Sequence, residues 1–215
     1  MSPAILVAAL LTLSAAGAAR VPEGTTAPGR RYVEDAPAPG AGEAPPVPAP
    51  PKDKTHKVKT RTGKTILITE SVPNAATIGN MTVQLAGQSS SVLRYTGVDP
   101  VTEVLSGDLD GDRYDEIYII TRGAGSGNYG YVFPVASVKD KSLAKIEIPE
   151  VEERDLARGG RLEGYDGNDR FKVSGTTFIR EFPVDSPKGK TRTVTYRLKQ
   201  WKSGYRLEIA GSTVR

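Results

Sequence analysis

The chain has 215 residues, with 29 Lys and Arg, 25 Asp and Glu, one His and no Cys. The absence of cysteine excludes disulfides and thiolate metal sites, and a single histidine, His56, far from any candidate serine, argues against a Ser-His hydrolase. The net charge of +4 does not indicate a nucleic-acid partner, because residues 1–64 carry nine basic and five acidic residues while residues 65–215 carry twenty of each.

The N-terminal residues are typical of an export signal. Residues 5–13 are apolar apart from Thr12, and six small residues follow at positions 14–19. A bilayer-spanning helix needs about 20 apolar residues, so a transmembrane anchor is disfavoured. The pattern predicts a signal peptide over residues 1–19 that is cleaved near Ala18 or Ala19.

Residues 20–63 are predicted to be a disordered linker. The segment 21–51 is rich in Pro, Ala, Gly and Glu and has few large apolar residues, so it cannot bury enough surface to offset the entropy of ordering it. A short basic stretch follows, and it consists of Lys52, Lys54, Lys57, Lys59, Arg61 and Lys64. Contact with a membrane surface is expected only through the signal peptide or weakly through this stretch.

Residues 64–215 are predicted to form one all-β domain. Short runs, mostly bounded by Gly, Pro, Asn, Asp or Ser, predict strands over 65–70, 81–85, 92–95, 116–121, 131–136, 143–148 and 177–184, and clean alternation of apolar and polar residues predicts two more over 191–199 and 205–209. The last two strands are joined by a short turn that contains Gly204, which predicts an antiparallel hairpin. One short helix is predicted over residues 150–158, before Gly159. Many short strands without regular intervening helices indicate an antiparallel β-sandwich or barrel.

The segment 108–116, called the Asp loop below, is a candidate metal site. Carboxylates at alternate positions near a glycine can converge on Ca²⁺, which takes six to eight oxygen ligands at about 2.3 to 2.6 Å. The candidate ligands are Asp108, Asp110, Asp112, Asp115 and Glu116. The twelfth position counted from Asp108 is Ile119, so the segment is not an EF-hand loop. The alternative is a turn in which the carboxylates accept hydrogen bonds from backbone N–H groups.

The segment 123–130, called the Gly loop below, has four glycines around Ser126, Asn128 and Tyr129. Glycine tolerates tight turns and close approach to another surface, so the segment predicts an exposed loop that offers a hydroxyl and a phenol to a partner. It lacks the Lys-Ser/Thr pair of a phosphate-binding P-loop. A plain hairpin turn is the alternative.

Several motifs together resemble the bacterial periplasmic inhibitors of invertebrate-type (I-type) lysozyme. These motifs are Gly107-Asp108-Leu109-Asp110-Gly111-Asp112, Glu116-Ile117-Tyr118, Gly125-Ser126-Gly127-Asn128-Tyr129-Gly130, Lys141-Ser142-Leu143, Gly164-Tyr165-Asp166-Gly167-Asn168-Asp169-Arg170-Phe171 and Arg180-Glu181-Phe182-Pro183-Val184. The S-G-x-Y element, here Ser126-Gly127-Asn128-Tyr129, is the hallmark of that family. The resemblance covers about residues 101–209.

The resemblance implies an antiparallel all-β domain, a periplasmic location, a homodimer and an inhibitor that is not itself an enzyme. Ser126, Gly127, Asn128 and Tyr129 would be the lysozyme-binding residues, and no catalytic residue or cofactor is expected, with Ca²⁺ a candidate structural ion only.

Two features depart from the family pattern: the proline-rich linker and the fuller set of Asp residues. The second leaves an alternative function open, a calcium-dependent envelope-binding or adhesion module that uses the Asp loop. An enzyme acting on envelope glycans is a third, weaker alternative that rests only on the number of carboxylates.

Overall fold

The computed structural model of the protein describes residues 52–72, 78–88, 91–123, 125, 127–185 and 189–215. The predicted signal peptide and the proline-rich segment lie outside the described residues. All the described residues belong to one compact unit, Pro46–Arg215.

The described residues form twelve strands and one helical turn. In chain order these are β1 (Lys52–Lys59), β2 (Thr65–Val72), β3 (Gly79–Leu85), β4 (Val92–Val98), β5 (Val101–Gly107), β6 (Glu116–Arg122), β7 (Gly130–Val138), β8 (Ser142–Glu147), α1 (Glu153–Leu156), β9 (Arg170–Ser174), β10 (Thr177–Val184), β11 (Lys190–Trp201) and β12 (Gly204–Val214). The expected all-β fold is therefore confirmed, with strands in an antiparallel sheet and in a nearly closed barrel-like sheet.

The strands form two sheets. The smaller has four antiparallel strands in the order β1-β2-β3-β4, and the larger has eight in the order β5-β6-β7-β8-β12-β11-β10-β9. Among the described strands, only β8 and β12 pair in parallel, through Ile146 with Tyr205 and Glu147 with Arg206. At the open seam, a Cβ added to Gly107 on β5 would lie 2.6 Å from Cγ1 of Val173 on β9. The larger sheet thus curls until its two edge strands touch, which makes it a nearly closed barrel.

Strand β6 explains how the two sheets pack. Every residue from Glu116 to Thr121 is buried, because β6 has protein on both of its faces. Tyr118 and Ile120 point into the barrel core, whereas Ile117 and Ile119 belong to a second core shared with the smaller sheet. That second core contains Ile66, Ile68, Met81, Val83 and Leu85 from β2 and β3. The smaller sheet therefore covers the outer face of the barrel at β6 and β7.

Most local predictions agree with the described structure. The hairpin of β11 and β12 is present, with Trp201 opposite Gly204. The predicted helix over residues 150–158 is reduced to the single turn α1. The sequence placed residues 52–63 in the disordered linker, but the first eight of these residues form β1, which pairs along its whole length with β2.

Candidate functional site

The Gly loop connects β6 to β7 at one end of the barrel, which we call the mouth. The hairpin closes at Arg122 opposite Gly130, and within the loop the Asn128 amide donates to the Gly125 carbonyl over 3.2 Å. Asn128 has a positive φ of 44°, a conformation that asparagine tolerates better than most residues. Gly127, Asn128 and Tyr129 of the predicted binding residues are described, and Ser126 lies outside the described residues.

A second loop, residues 162–169, supports the Gly loop, and we call it the support loop. The Asn168 amide donates to the Gly127 carbonyl over 3.0 Å. A Cβ on Gly167 would collide with the same carbonyl, and Gly167 itself has a φ of 79°. Only glycine fits this position, because it combines left-handed backbone with the close approach of a second chain segment.

The carboxylate of Asp169 fixes the two loops to the barrel. Its Oδ2 accepts hydrogen bonds from the Gly130 amide over 2.9 Å and from the Tyr165 hydroxyl over 2.8 Å. Its Oδ1 accepts from Nε of Arg180 on β10 over 2.6 Å. The Asp169 side chain has no solvent exposure. A buried carboxylate is stable only when it is paired and hydrogen-bonded, and here all three partners serve that purpose.

Two arginines add further contacts at the base of the Gly loop. Arg122 donates to the Asn128 carbonyl over 3.3 Å and to the Asp169 carbonyl over 2.5 Å. The Arg180 guanidinium stacks on the Tyr165 ring at 4.1 Å from its centroid. The backbone of the Gly loop is therefore held at its base from β6 and at its middle from the support loop.

Tyr129 is an exposed aromatic side chain of the Gly loop. Its residue is 38% exposed, and its ring contacts Tyr165 edge to face at a centroid distance of 5.8 Å. The phenol donates to Oδ1 of Asp166 over 2.7 Å, and this hydrogen bond raises the pKa of Tyr129 above its ordinary value. The phenol thus already contacts a carboxylate in the free protein.

The sequence did not assign a role to the residues that position the Gly loop. They are Arg122, Tyr165, Asp166, Asp169 and Arg180. The alternation of glycine and polar residues in the support loop is visible in the sequence, but its contact with the Gly loop is not, because the two segments are about forty residues apart.

The Asp loop lies at the opposite end of the barrel. Carboxylate oxygens of Asp108, Asp110 and Glu116 lie within 4.8 Å of one another. Arg61, in the turn after β1, donates to Asp108 over 2.9 Å and to both oxygens of Asp115 over 2.7 Å. The structure therefore brings three of the five candidate ligands together and pairs Asp115 with an arginine instead.

Backbone hydrogen bonds also occupy the Asp loop carboxylates. Asp108 accepts from the Gly111 and Arg113 amides, Asp110 accepts from the Asp112 amide, and Asp112 accepts from the Tyr114 amide. This is the turn that the sequence offered as the alternative to a metal site. The carboxylates of Asp108, Asp110 and Glu116 still form a group that could hold a hard cation if Glu116 were ionised.

Glu116 is the most electrostatically perturbed group of the Asp loop. Burial, together with the nearby carboxylates of Asp110, Asp112 and Asp108, raises its pKa to about 8, although the Leu109 amide donates to it over 2.6 Å. Burial also raises the pKa of Asp110. The shift of the Glu116 pKa favours its protonated acid near neutral pH in the absence of a cation.

His56 lies in β1 and takes part in a link between the two sheets. Its Nε2 hydrogen-bonds Oε1 of Glu70 over 2.5 Å, and Oε2 of Glu70 accepts from the Val101 amide on β5 over 2.7 Å. The role of this histidine in the described structure is therefore to join the first two strands of the smaller sheet to the barrel.

Comparison with known proteins adds no relative. A scan against models of protein families, a search of the curated proteins and a search of the solved structures each found no match.

Within the described ranges, none of the helical segments has the length and apolar character needed to cross a membrane.

Proposed function

We propose that the protein is an exported, non-enzymatic inhibitor of lysozyme, with I-type lysozyme as the favoured target. It would insert the Gly loop into the enzyme's cleft and so protect peptidoglycan. The observation that carries the proposal is the form of the Gly loop. The loop presents Tyr129 to solvent, while its backbone is hydrogen-bonded to the support loop, including the buried Asp169. A loop held in this way suits binding, because little conformational freedom is lost when it meets a partner.

The chemistry of the loop tip matches that of a glycosidase cleft. Such a cleft contains two carboxylic groups, of which one is protonated for acid catalysis. The hydroxyls of Ser126 and Tyr129 can donate to a carboxylate and accept from a carboxylic acid, and neither group can be cleaved by the enzyme. Each hydrogen bond to a charged carboxylate contributes about 1.5 to 3 kcal/mol. On insertion, the Tyr129 phenol would exchange Asp166 for a carboxylate of the enzyme.

Inhibition assays test the proposal directly. The purified protein is assayed against invertebrate, chicken and goose-type lysozymes, with the variants Ser126→Ala and Tyr129→Ala in parallel. Each substitution should weaken inhibition by about 1 to 4 kcal/mol, as expected for side chains at the centre of an interface. Tyr131→Ala is the matched control, because Tyr131 is also an exposed tyrosine but lies outside the S-G-x-Y element. Unchanged inhibition by the Ser126/Tyr129 double variant would refute the loop mechanism.

The resemblance also implies a homodimer, which analytical ultracentrifugation of the mature chain would detect. If the dimer forms, inhibition should persist in it, because the proposal requires the Gly loop to stay accessible. A dimer that buries Tyr129 would contradict insertion of the loop.

A calcium-dependent envelope-binding module is the second candidate. The convergence of Asp108, Asp110 and Glu116 favours it, whereas the ion pairs of Arg61 with Asp108 and Asp115 already neutralise part of the Asp loop. Calorimetry with Ca²⁺ at pH 8 discriminates between the two candidates. Heat of binding and a raised melting temperature would support the module, and the absence of both would remove it.

A further inference from the structure

A cavity of about 440 Å³ opens at the mouth of the barrel, beside the Gly loop. Its walls are formed by Val132, Phe171, Phe178, Tyr196 and Leu207, and Arg180 contributes a polar side. Small-molecule sites in proteins have volumes of about 300 to 1,000 Å³ and mostly apolar walls with a few polar groups. The size and lining of this cavity fall within that pattern.

The walls of the cavity consist largely of packed core side chains. Phe171, Phe178, Tyr196 and Leu207 are all buried members of the barrel core. The rings of Phe171 and Phe178 are stacked at a centroid distance of 5.7 Å. A cavity bounded by packed core side chains keeps its shape, so a ligand can enter without reorganising the barrel.

The rim of the cavity is unusually apolar. Tyr129, Tyr131, Ile148 and Val151 line the cavity and are 38%, 53%, 40% and 50% exposed. They are four of the eight large hydrophobic residues that are exposed among the described residues. A contiguous group of exposed apolar side chains around one opening marks a surface that binds something apolar.

The charge at the cavity selects the kind of ligand. Arg180 is the charged residue of the lining, and its Nε is already bonded to the buried Asp169. Its charge is therefore compensated within the protein, and a charged group placed in the cavity would be desolvated without a partner. We propose that the mouth of the barrel is a binding site for an uncharged apolar ligand, specifically the alkyl or aromatic part of an amphiphile whose polar part lies in solvent beyond the apolar rim. The site shares Tyr129 with the Gly loop, but binding of such a ligand does not require the lysozyme proposal.

The test uses the neutral fluorophore N-phenyl-1-naphthylamine, whose emission rises in apolar surroundings, with the full chain. Saturable binding at one site per chain is expected. Val132→Trp fills the cavity, and Ile148→Glu with Val151→Glu places two charges at its opening without touching the core. Each change should weaken binding by about tenfold or more, which is a loss of at least about 1.4 kcal/mol in binding free energy. Ile78→Glu is the control, because Ile78 is 52% exposed but does not line the cavity, and it should leave binding unchanged.

Three outcomes would overturn the inference. The first is no saturable binding of the fluorophore by the wild-type chain. The second is equal binding by the wild type and by the rim variant, with far-UV circular dichroism unchanged. The third is a wild-type dimer that excludes the fluorophore and that the rim variant converts to a monomer, which would make a second copy of the chain the occupant of the mouth.

Discussion

At the scale of single residues, Asp169 is the residue on which the geometry of the Gly loop depends. Its carboxylate joins β7, the support loop and β10 through the Gly130 amide, the Tyr165 hydroxyl and the Arg180 guanidinium. Removing one member of a buried ion pair leaves the other buried and unpaired, which is more damaging than the loss of the pair as a whole. Asp166 is only three positions earlier, but it is exposed.

Asp169→Ala is expected to destabilise the domain by about 3 to 5 kcal/mol, because Arg180 would remain buried without its carboxylate. Equilibrium urea unfolding measures this change. Asp166→Ala is the matched control and should stay within about 0.5 kcal/mol of the wild type, as for most surface substitutions. A similar loss in both variants would contradict the role assigned to Asp169.

Glu116 gives the domain a second, pH-dependent feature at the residue scale. Its pKa is about 8 in the folded protein, against an ordinary value of 4.5. The folded state therefore binds more protons than the unfolded state between these two values. The contribution of Glu116 to stability is complete below about pH 4.5 and is lost as the pH rises through 8.

Glu116→Gln is expected to flatten the dependence of the melting temperature on pH between 5 and 8, because glutamine stays uncharged and its carbonyl can still accept from the Leu109 amide. Thermal unfolding at several pH values, in the presence of a chelator, provides the measurement. Glu181→Gln is a suitable control, since Glu181 lies on the barrel surface and pairs with Lys172. The prediction fails if the variant keeps the slope of the wild type.

At the scale of elements, closure of the barrel depends on β5 meeting β9. These strands are the two edges of the larger sheet, and they come close at Gly107, where an added Cβ would lie 2.6 Å from Cγ1 of Val173. The absence of a side chain at Gly107 allows Val173 to pack directly against the backbone of β5. An open sheet of eight strands would instead leave two long edges for pairing with other chains.

Gly107→Ala is expected to destabilise the domain by about 1 to 3 kcal/mol, the usual cost of overpacking, because the new methyl group would overlap Val173. Chemical unfolding of Gly107→Ala, of Val173→Ala and of the double variant measures the coupling of the two positions. The double variant should recover part of the loss caused by Gly107→Ala. Simple additivity of the two single effects would show that the two strands do not meet at this point.

At the scale of the whole molecule, β1 and the turn after it join the smaller sheet to the barrel. Arg61 bonds Asp108 and Asp115 beside β6, and His56 and Glu70 connect β1 through β2 to Val101. The folded unit therefore begins at or before Lys52, twelve residues earlier than the boundary at residue 64 that the sequence indicated.

A chain that begins at residue 52 is expected to be more stable than one that begins at residue 64. The shorter chain loses β1, exposes the edge of β2 and leaves Asp115 without its arginine. Thermal unfolding and light scattering of the two chains measure the difference, and the shorter chain should melt lower and self-associate. Equal melting temperatures would show that β1 contributes nothing to the domain.

The sequence by itself was sufficient for the fold class and for most strands. Alternation with a period of two is a local property of the chain, and it is strong in β2, β3 and β11. It is weak where strands are short or polar. Accordingly the sequence pattern predicts β1, whose sequence KDKTHKVK has a single large apolar residue, as part of the linker, and it does not predict β5 or β9 as strands.

The positions of the Gly loop and the Asp loop also followed from local composition, since glycine and aspartate mark turns whatever the rest of the chain does. Which groups surround these loops was decided only in the tertiary structure. The partners of Asp169 come from β7, the support loop and β10, and Arg61 reaches the Asp loop across 47 residues of sequence. The nearly closed barrel brings the partners of Asp169 together, and packing of the smaller sheet against the barrel brings Arg61 to the Asp loop. Neither arrangement can be deduced from the order of the segments along the chain, because neighbours in a sheet are set by the pairing of strands.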